Sequence, residues 1–337
     1  MSTLFKHPLR ISKTPLRVGF FGGGTDYSEY FERERGAVLG TSINLYINII
    51  ALPLNDFCEQ KYRLMYSTPE SVNNINDIKH PVMRNILLLE KYEEPLNIAV
   101  MSDVPSGTGL GSSSTFTVGM YQLIYSLLNK EISKVNLAKK SIFLEQKILK
   151  ENVGIQDQIH ASFGGLSLYE FYKNEFVIKP IQMHSECYDF LSKSMYLIYT
   201  KISRRATNAV TEQINNTKSK QIDSKLSQMR SFVYEGKKIL ENSSPEEMLK
   251  DLGELLNQSW HIKRELSSTI SDDSLDEIYE KTISLGAYGG KLCGAGGGGF
   301  FFVLAPKEIY KDLIETFGVG NVLSISIDNE GAQMLLA

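Results

Sequence analysis

A glycine- and serine-rich run, Pro105-Ser106-Gly107-Thr108-Gly109-Leu110-Gly111-Ser112-Ser113-Ser114, lies between a strand-like stretch, Leu96–Asp103, and an apolar helical stretch, Gly111–Leu128. Glycines let the backbone turn sharply and approach a bulky anion without Cβ collisions. The helix start then offers unpaired N–H groups and the positive end of its dipole. Together these make a phosphate site, and a serine hydroxyl there can ligate a phosphate-bound Mg²⁺. No Gly-Lys-Ser/Thr follows, so the run is not a Walker A loop, and Ser114 fills the third glycine position of GxGxxG. A plain helix cap after a flexible loop is the structural alternative.

Two further glycine runs flank this one. Cys293-Gly294-Ala295-Gly296-Gly297-Gly298-Gly299 matches GxGxxG literally, but Phe300–Leu304 after it reads as a buried strand, where a dinucleotide fingerprint needs a helix. A tight loop bringing backbone near a ligand fits better, which makes Gly296 and Gly297 candidate substrate contacts; a structural turn is the alternative. Near the N-terminus, Thr14-Pro15-Leu16-Arg17 enters a strand that leaves through Gly22-Gly23-Gly24-Thr25-Asp26-Tyr27. Asp26 is either a helix cap or, with Gly23, Gly24 and Thr25, a grip on the hydroxyls of a polyol.

Glu145 and Asp157 stand in helical stretches that are otherwise apolar. A carboxylate flanked by Ile155 and Ile159 is costly to bury alone, so Asp157 calls for a metal or a partner such as Arg17. For Glu145 a solvated helix charge beside Lys147 is the alternative. His160, one turn beyond Asp157, reads as structural.

The 337 residues suit one large domain or two moderate ones. A formal charge of -3, with 36 basic and 39 acidic residues intermixed, gives no general signal for nucleic acid or a membrane surface. Three scattered cysteines argue against a disulfide framework. No stretch approaches the roughly 18 apolar residues of a membrane span, and a cytoplasmic location is the expectation. Strands dominate the first third. After residue 180 a strand, Met195–Thr200, precedes long polar-rich helical segments to about Leu285. The expected division is therefore 1–180 and 181–337.

In this order, the segments resemble the GHMP kinases. Pro15, Arg17, Gly22, Thr25, Asp26 and Tyr27 match the galactokinase opening, with Gly23 and Gly24 in place of its Glu-His pair. Pro105–Ser114 is similar to the family's ATP loop, Gly154–Gln158 to its G-x-x-D-Q segment, and Thr200–Arg204 to the T-K-x-x-R stretch of mevalonate kinases. Within the family, the Gly-Gly-Gly-Thr-Asp opening, Gln-Asp-Gln and Lys291–Gly299 most resemble the D-glycero-D-manno-heptose 7-phosphate kinases and the kinase part of fucokinases.

The resemblance implies a two-domain α/β (α+β) fold, with an N-terminal domain like domain 2 of ribosomal protein S5 and a ferredoxin-like C-terminal domain. It implies ATP and Mg²⁺ as cofactors and a small sugar phosphate as partner, without nucleic acid or membrane. It also implies Asp157 as catalytic base supported by Arg17, Ser113 and Glu145 as metal ligands, and Asp26 on sugar hydroxyls. Arg204, at a predicted helix start, is the candidate contact for the acceptor's phosphate. A kinase for an unphosphorylated sugar such as fucose, and a catalytically silent sugar and ATP sensor, are the rival readings. The assembly state is left open, a homodimer included.

Overall fold

The structure, a computed structural model, describes residues 9–55, 57–173, 175–202 and 207–336. In chain order the first part comprises β1 (Arg10–Phe21), α1 (Ser28–Phe31), β2 (Gly36–Pro53), β3 (Tyr62–Met65), β4 (Glu70–Val72), α2 (Pro81–Leu89), β5 (Leu96–Ser102), α3 (Ser112–Leu127), α4 (Lys134–Phe143), α5 (Gln156–Phe163), β6 (Leu166–Tyr172) and β7 (Glu175–Pro180). The rest comprises α6 (Ser185–Ser192), β8 (Met195–Tyr199), α7 (Thr207–Lys218), α8 (Asp223–Asn242), α9 (Pro245–Arg264), α10 (Asp273–Ser284), β9 (Gly289–Leu292), β10 (Phe300–Leu304), α11 (Tyr310–Phe317), β11 (Val322–Ile325) and β12 (Gln333–Leu336).

The first sheet runs β12-β1-β2-β5-β3-β4, with β6 and β7 branching from β2. That branch exists because β2 is 18 residues long. Its first part, Gly36–Thr41, pairs with β6, and Ile47–Pro53 pairs with β5, while β1 lies along its other edge. The strand β3 does not pair with β2; it lies parallel to β5 and antiparallel to β4. A register shift between Pro15 and Leu16 follows from proline's missing N–H, and Arg17 stands just beyond it. On β1's outer edge, β12 covers Arg10–Lys13, and farther along the Arg17 amide donates to the Leu110 carbonyl at 3.1 Å. The ATP-loop segment is thereby fastened to the strand.

The second sheet is wholly antiparallel, in the order β11-β8-β10-β9. Counted among themselves, its strands run 4-1-3-2, with α7–α10 between the first two and α11 before the last. That is the ferredoxin-like arrangement implied by the resemblance. The short β9, whose Gly289-Gly290 start lacks strand character, and β12 are not apparent from the residue pattern. The switch from first to second sheet falls between β7 and β8, but β12 returns to the first sheet, so the second segment of the chain contributes to both layers. Phe20 of β1 meets Phe302 of β10 edge-to-face at 5.0 Å, which packs the two sheets' strands through one core.

Candidate active site

A cleft of about 260 Å³ opens where β1, the starts of α3 and α5, and the end of α9 converge. Arg17 reaches it from β1 and Asp157 from the first turn of α5. The guanidinium takes the carboxylate in a two-pronged pair, Nε to Oδ1 and Nη2 to Oδ2, both at 2.7 Å. Its third nitrogen donates to the Gly109 carbonyl at 2.7 Å. Burial works against the buried Arg17 cation, but Asp157 outweighs that and raises its pKa. The partner anticipated for Asp157 is thus present, and the pair sits directly beneath the glycine run. A Cβ on Gly111 would stand 3.2 Å from Asp157 Oδ2 and 3.3 Å from Arg17 Cγ.

Gly111 caps α3 with a φ of 79°, the left-handed region that glycine enters freely. Gly107, Gly109, Gly111, Ser112, Ser113 and Ser114 line the cleft. Pro105 and Ser106 lie exposed outside it, and Thr108 and Leu110 are buried. Thr108 donates its hydroxyl to Pro105 O, and its carbonyl accepts from the Phe300 amide.

The third glycine run interlocks with the first. A Cβ on Gly109 would meet Cys293 O at 2.6 Å, and one on Gly294 would meet Gly109 Cα at 2.5 Å. Here the expectation needs correction: Gly294 and Ala295 line the cleft, whereas Gly296 and Gly297 are buried away from it. Gly296 packs its backbone against Ile270, and the Gly297 amide donates to Ile270 O. These glycines serve close backbone packing.

Gly23, Gly24 and Asp26 also line the cleft. Thr25 does not: its hydroxyl is buried against the Gly22 and Ala37 carbonyls and accepts from the Ala37 amide, closing the turn. Asp26, 1% exposed, accepts from the Gly24 amide at 3.1 Å. Burial, with Asp157 nearby, pushes its carboxyl up to about 6. Gly154 makes room for it, since a Cβ there would fall 1.8 Å from Asp26 Oδ2.

Glu145 is fully buried behind α3, in a π-helical turn spanning Leu144–Ile148. The solvated-helix alternative is therefore excluded. Its Oε2 accepts from Ser114 Oγ at 2.8 Å and from Gln158 Nε2, while Oε1 has no hydrogen-bond partner. Burial holds its carboxyl up at about 7 despite those bonds. Ser114, rather than the exposed Ser113, is the serine that touches Glu145. An unpaired buried carboxylate oxygen beside serine hydroxyls at a phosphate loop is a hard-oxygen donor set of the kind Mg²⁺ takes. Among the described residues no cluster of three or more His, Cys, Asp or Glu forms a metal cage. Mg²⁺ needs none, being held mostly by one or two carboxylates with substrate phosphates and water.

Arg204 and Arg205 lie outside the described residues. His160 is buried, bonded to Gln156 O, and pulled down to about 4 by burial, in keeping with a structural role. The sequence reading passed over Lys263, at the end of α9. This buried ammonium donates to Leu292 O at 2.6 Å and Gly294 O at 2.7 Å, and burial puts its pKa well below the usual lysine range. Lys291 donates across the sheets to Phe20 O at 2.9 Å and is drawn down by burial to about 8. Both line the cleft, as do Val210, Gln213, Met229 and Leu266. The only signal for Lys263 in the sequence was a lysine on the same amphipathic helix as Trp260.

Comparison with known proteins agrees with this geometry. The model of the GHMP kinase N-terminal domain matches residues 80–165 and that of the C-terminal domain residues 245–317. A D-glycero-alpha-D-manno-heptose 7-phosphate kinase of Campylobacter jejuni is 33% identical over 96% of this chain and 97% of that protein. This chain is a GHMP kinase. Enzymes of this family use ATP as phosphate donor. A bifunctional fucokinase/GDP-fucose pyrophosphorylase of Arabidopsis thaliana is 23% identical over 89% of this chain, which spans 31% of that protein. The crystal structure of a D-glycero-D-manno-heptose 1-phosphate kinase from Bacteroides thetaiotaomicron shares the fold of this GHMP kinase, with a TM-score of 0.78 at 21% identity over 97% of this chain and 99% of that one. No helix among the described residues is long and apolar enough to cross a membrane.

Proposed function

We propose that this kinase transfers the γ-phosphoryl group of ATP to the anomeric hydroxyl of D-glycero-D-manno-heptose 7-phosphate. The product is the 1,7-bisphosphate, a precursor of nucleotide-activated heptose for surface glycans. The Arg17–Asp157 pair beneath the glycine loop is the observation that carries this reading; the Campylobacter relative's name supports the acceptor. Such transfers ask a protein mainly for positioning and charge neutralisation.

The loop Gly107–Ser114 receives the triphosphate at the start of α3. Both Asp157 oxygens are engaged by Arg17, yet each keeps a lone pair for a substrate hydroxyl. Asp157 accepts the anomeric proton as the sugar oxygen bonds to the γ-phosphorus. The bond to the β–γ bridging oxygen breaks, and ADP leaves with that oxygen's charge. Arg17 orients Asp157 and offsets charge on the transferring group. Glu145 with Ser113 or Ser114 would hold Mg²⁺, which would help neutralise the phosphates. Asp26 takes sugar hydroxyls, and Arg204 the acceptor's phosphate. The chain divides near residue 180 into two domains, with the reaction between them.

A coupled ADP-release assay over heptose 7-phosphate, its dephosphorylated form, fucose, galactose and mevalonate tests the reading. The phosphorylated heptose is expected to exceed the free sugar in kcat/KM by about tenfold or more, as a charged hydrogen bond to its phosphate requires. Equal turnover of the two excludes phosphate recognition. ATP binding without turnover of any acceptor identifies the silent sensor.

A further inference from the structure

Part of the cleft wall comes from the helices between β8 and β9, among them Val210 and Gln213 of α7, Met229 of α8, and Leu266 after α9. Three of the four are apolar. Gln213 brings a hydrogen-bonding amide, as Lys263 near the end of α9 brings an ammonium already engaged by carbonyls, and Gln213 is 6% exposed. Among the described residues its side-chain amide makes no hydrogen bond, although its backbone carbonyl accepts from Thr217 Oγ1 in the helix. An amide at the edge of a cleft can exchange its water for a ligand's hydrogen bonds. Here the amide borders the cleft.

Gly24 shows how tightly the amide is placed. Its φ is +98°, and a Cβ built on it would fall 2.4 Å from Gln213 Nε2. The glycine turn and the glutamine therefore fit one another, with the side chain of α7 lying over the backbone that carries Asp26. Gly23 beside it has nothing within 4 Å of its Cβ direction, leaving open room. The same part of the cleft thus offers a carboxylate that accepts hydrogen bonds and an amide that both donates and accepts. That pairing suits neighbouring hydroxyls of a neutral polyol ring; a phosphate would be repelled by Asp26.

We propose that Gln213 is a specificity-determining residue, which reads the hydroxyl configuration of the acceptor beside Asp26. The inference rests on the sugar-kinase reading above and adds a recognition element from the helical half of the chain. A pocket built to hydrogen-bond a hydroxyl discriminates strongly against the analogue that lacks it.

The test measures kcat and KM of wild type, Gln213→Leu and Gln213→Glu on the acceptor and on its single-position epimers and monodeoxy forms. Gln213→Leu is expected to raise acceptor KM about tenfold or more while leaving KM for ATP within about twofold. It should also flatten the preference for the native acceptor over one particular epimer or deoxy form, and a retained melting temperature shows the fold intact. Gln213→Glu keeps the length and tests for the donor, and should be impaired as the leucine variant is. Unchanged discrimination in both variants, or equal loss of ATP and acceptor affinity, overturns the inference. If wild type ignores heptose 7-phosphate but uses another sugar of the panel, the proposed acceptor fails and the same comparison is made on that sugar. Turnover of no sugar at all overturns the inference with the reading.

Discussion

Arg17 grips both oxygens of Asp157 at 2.7 Å and, with the nitrogen left over, holds the carbonyl of Gly109 at the same distance. One side chain thus sets the proton acceptor and the phosphate loop in a fixed relation. Asp157→Asn is expected to keep ATP binding and lower turnover by about 10²-fold or more. Arg17→Lys keeps the charge but cannot span two oxygens and a carbonyl, and should lose activity on a similar scale. Because the two act as a unit, the double variant should be little worse than either single one. Steady-state turnover with a separate nucleotide-binding measurement checks this; near-normal turnover in Asp157→Asn removes it from the chemistry.

Glu145→Gln and Ser114→Ala are expected to raise the Mg²⁺ requirement about tenfold with little effect on acceptor KM, since each alters the hard-oxygen set behind the loop. Ser113→Ala separates the two serines. If it moves the metal dependence and Ser114→Ala does not, Ser114 only props the glutamate. Titration of activity against free Mg²⁺ distinguishes these, and an unchanged curve in all three excludes Glu145 from metal binding.

Gly154→Ala should injure the acceptor side alone. Its Cβ would lie 1.8 Å from Asp26 Oδ2, so the carboxylate must move. We expect acceptor KM to rise by about tenfold or more, the scale of one lost charged hydrogen bond, with ATP affinity retained. Gly109→Ala instead places its Cβ 2.6 Å from Cys293 O at a positive φ, and is expected to cost about 1–3 kcal/mol of stability as well as nucleotide affinity. Thermal melts with and without ATP analogues tell the two variants apart.

Asp26 makes both stability and acceptor affinity depend on pH. Burial holds its folded pKa at about 6, above the ordinary carboxylate value of 3.8. The folded chain thus binds this proton more tightly than the unfolded chain does. The contribution is most favourable below 3.8, declines as pH rises to about 6, and levels off above it, a span of about 3 kcal/mol. Asp26→Asn should remove that slope from melting temperatures measured between pH 4 and 8. Acceptor KM should move the opposite way in wild type, improving as pH rises through about 6 and the carboxylate ionises. A pH-independent KM in wild type would separate Asp26 from the acceptor.

Local signals carried far in this chain. Glycine runs at strand ends located the loop before α3 and the turn before Asp26, because close backbone approach and the positive φ of Gly22, Gly24, Gly107, Gly109 and Gly111 favour glycine there. Asp157 was legible because an isolated carboxylate among isoleucines needs a partner, and Arg17 supplies it. What stayed hidden depends on contacts distant in sequence. Lys263 looks like any lysine on an amphipathic helix until Leu292 and Gly294 present their carbonyls to it. Gln213 likewise has no distinguishing neighbours along the chain. Gly296 and Gly297 misled for the same reason: glycine marks close approach without saying whether the visitor is a ligand or, as here, Ile270. The pairing of β3 with β5 in place of β2 is a choice among apolar strands that composition leaves degenerate.

The return of β12 to β1 sets a timetable for the chain as it is made. Arg10–Lys13 are made long before the strand that borders them, Gln333–Leu336. Until then that stretch of β1 presents an open row of amides and carbonyls, the kind of edge that recruits strands from other molecules. The strand that carries Arg17 is therefore finished only after Gln333–Leu336 has been made. The gap between the two partners puts a slow closure at the end of folding.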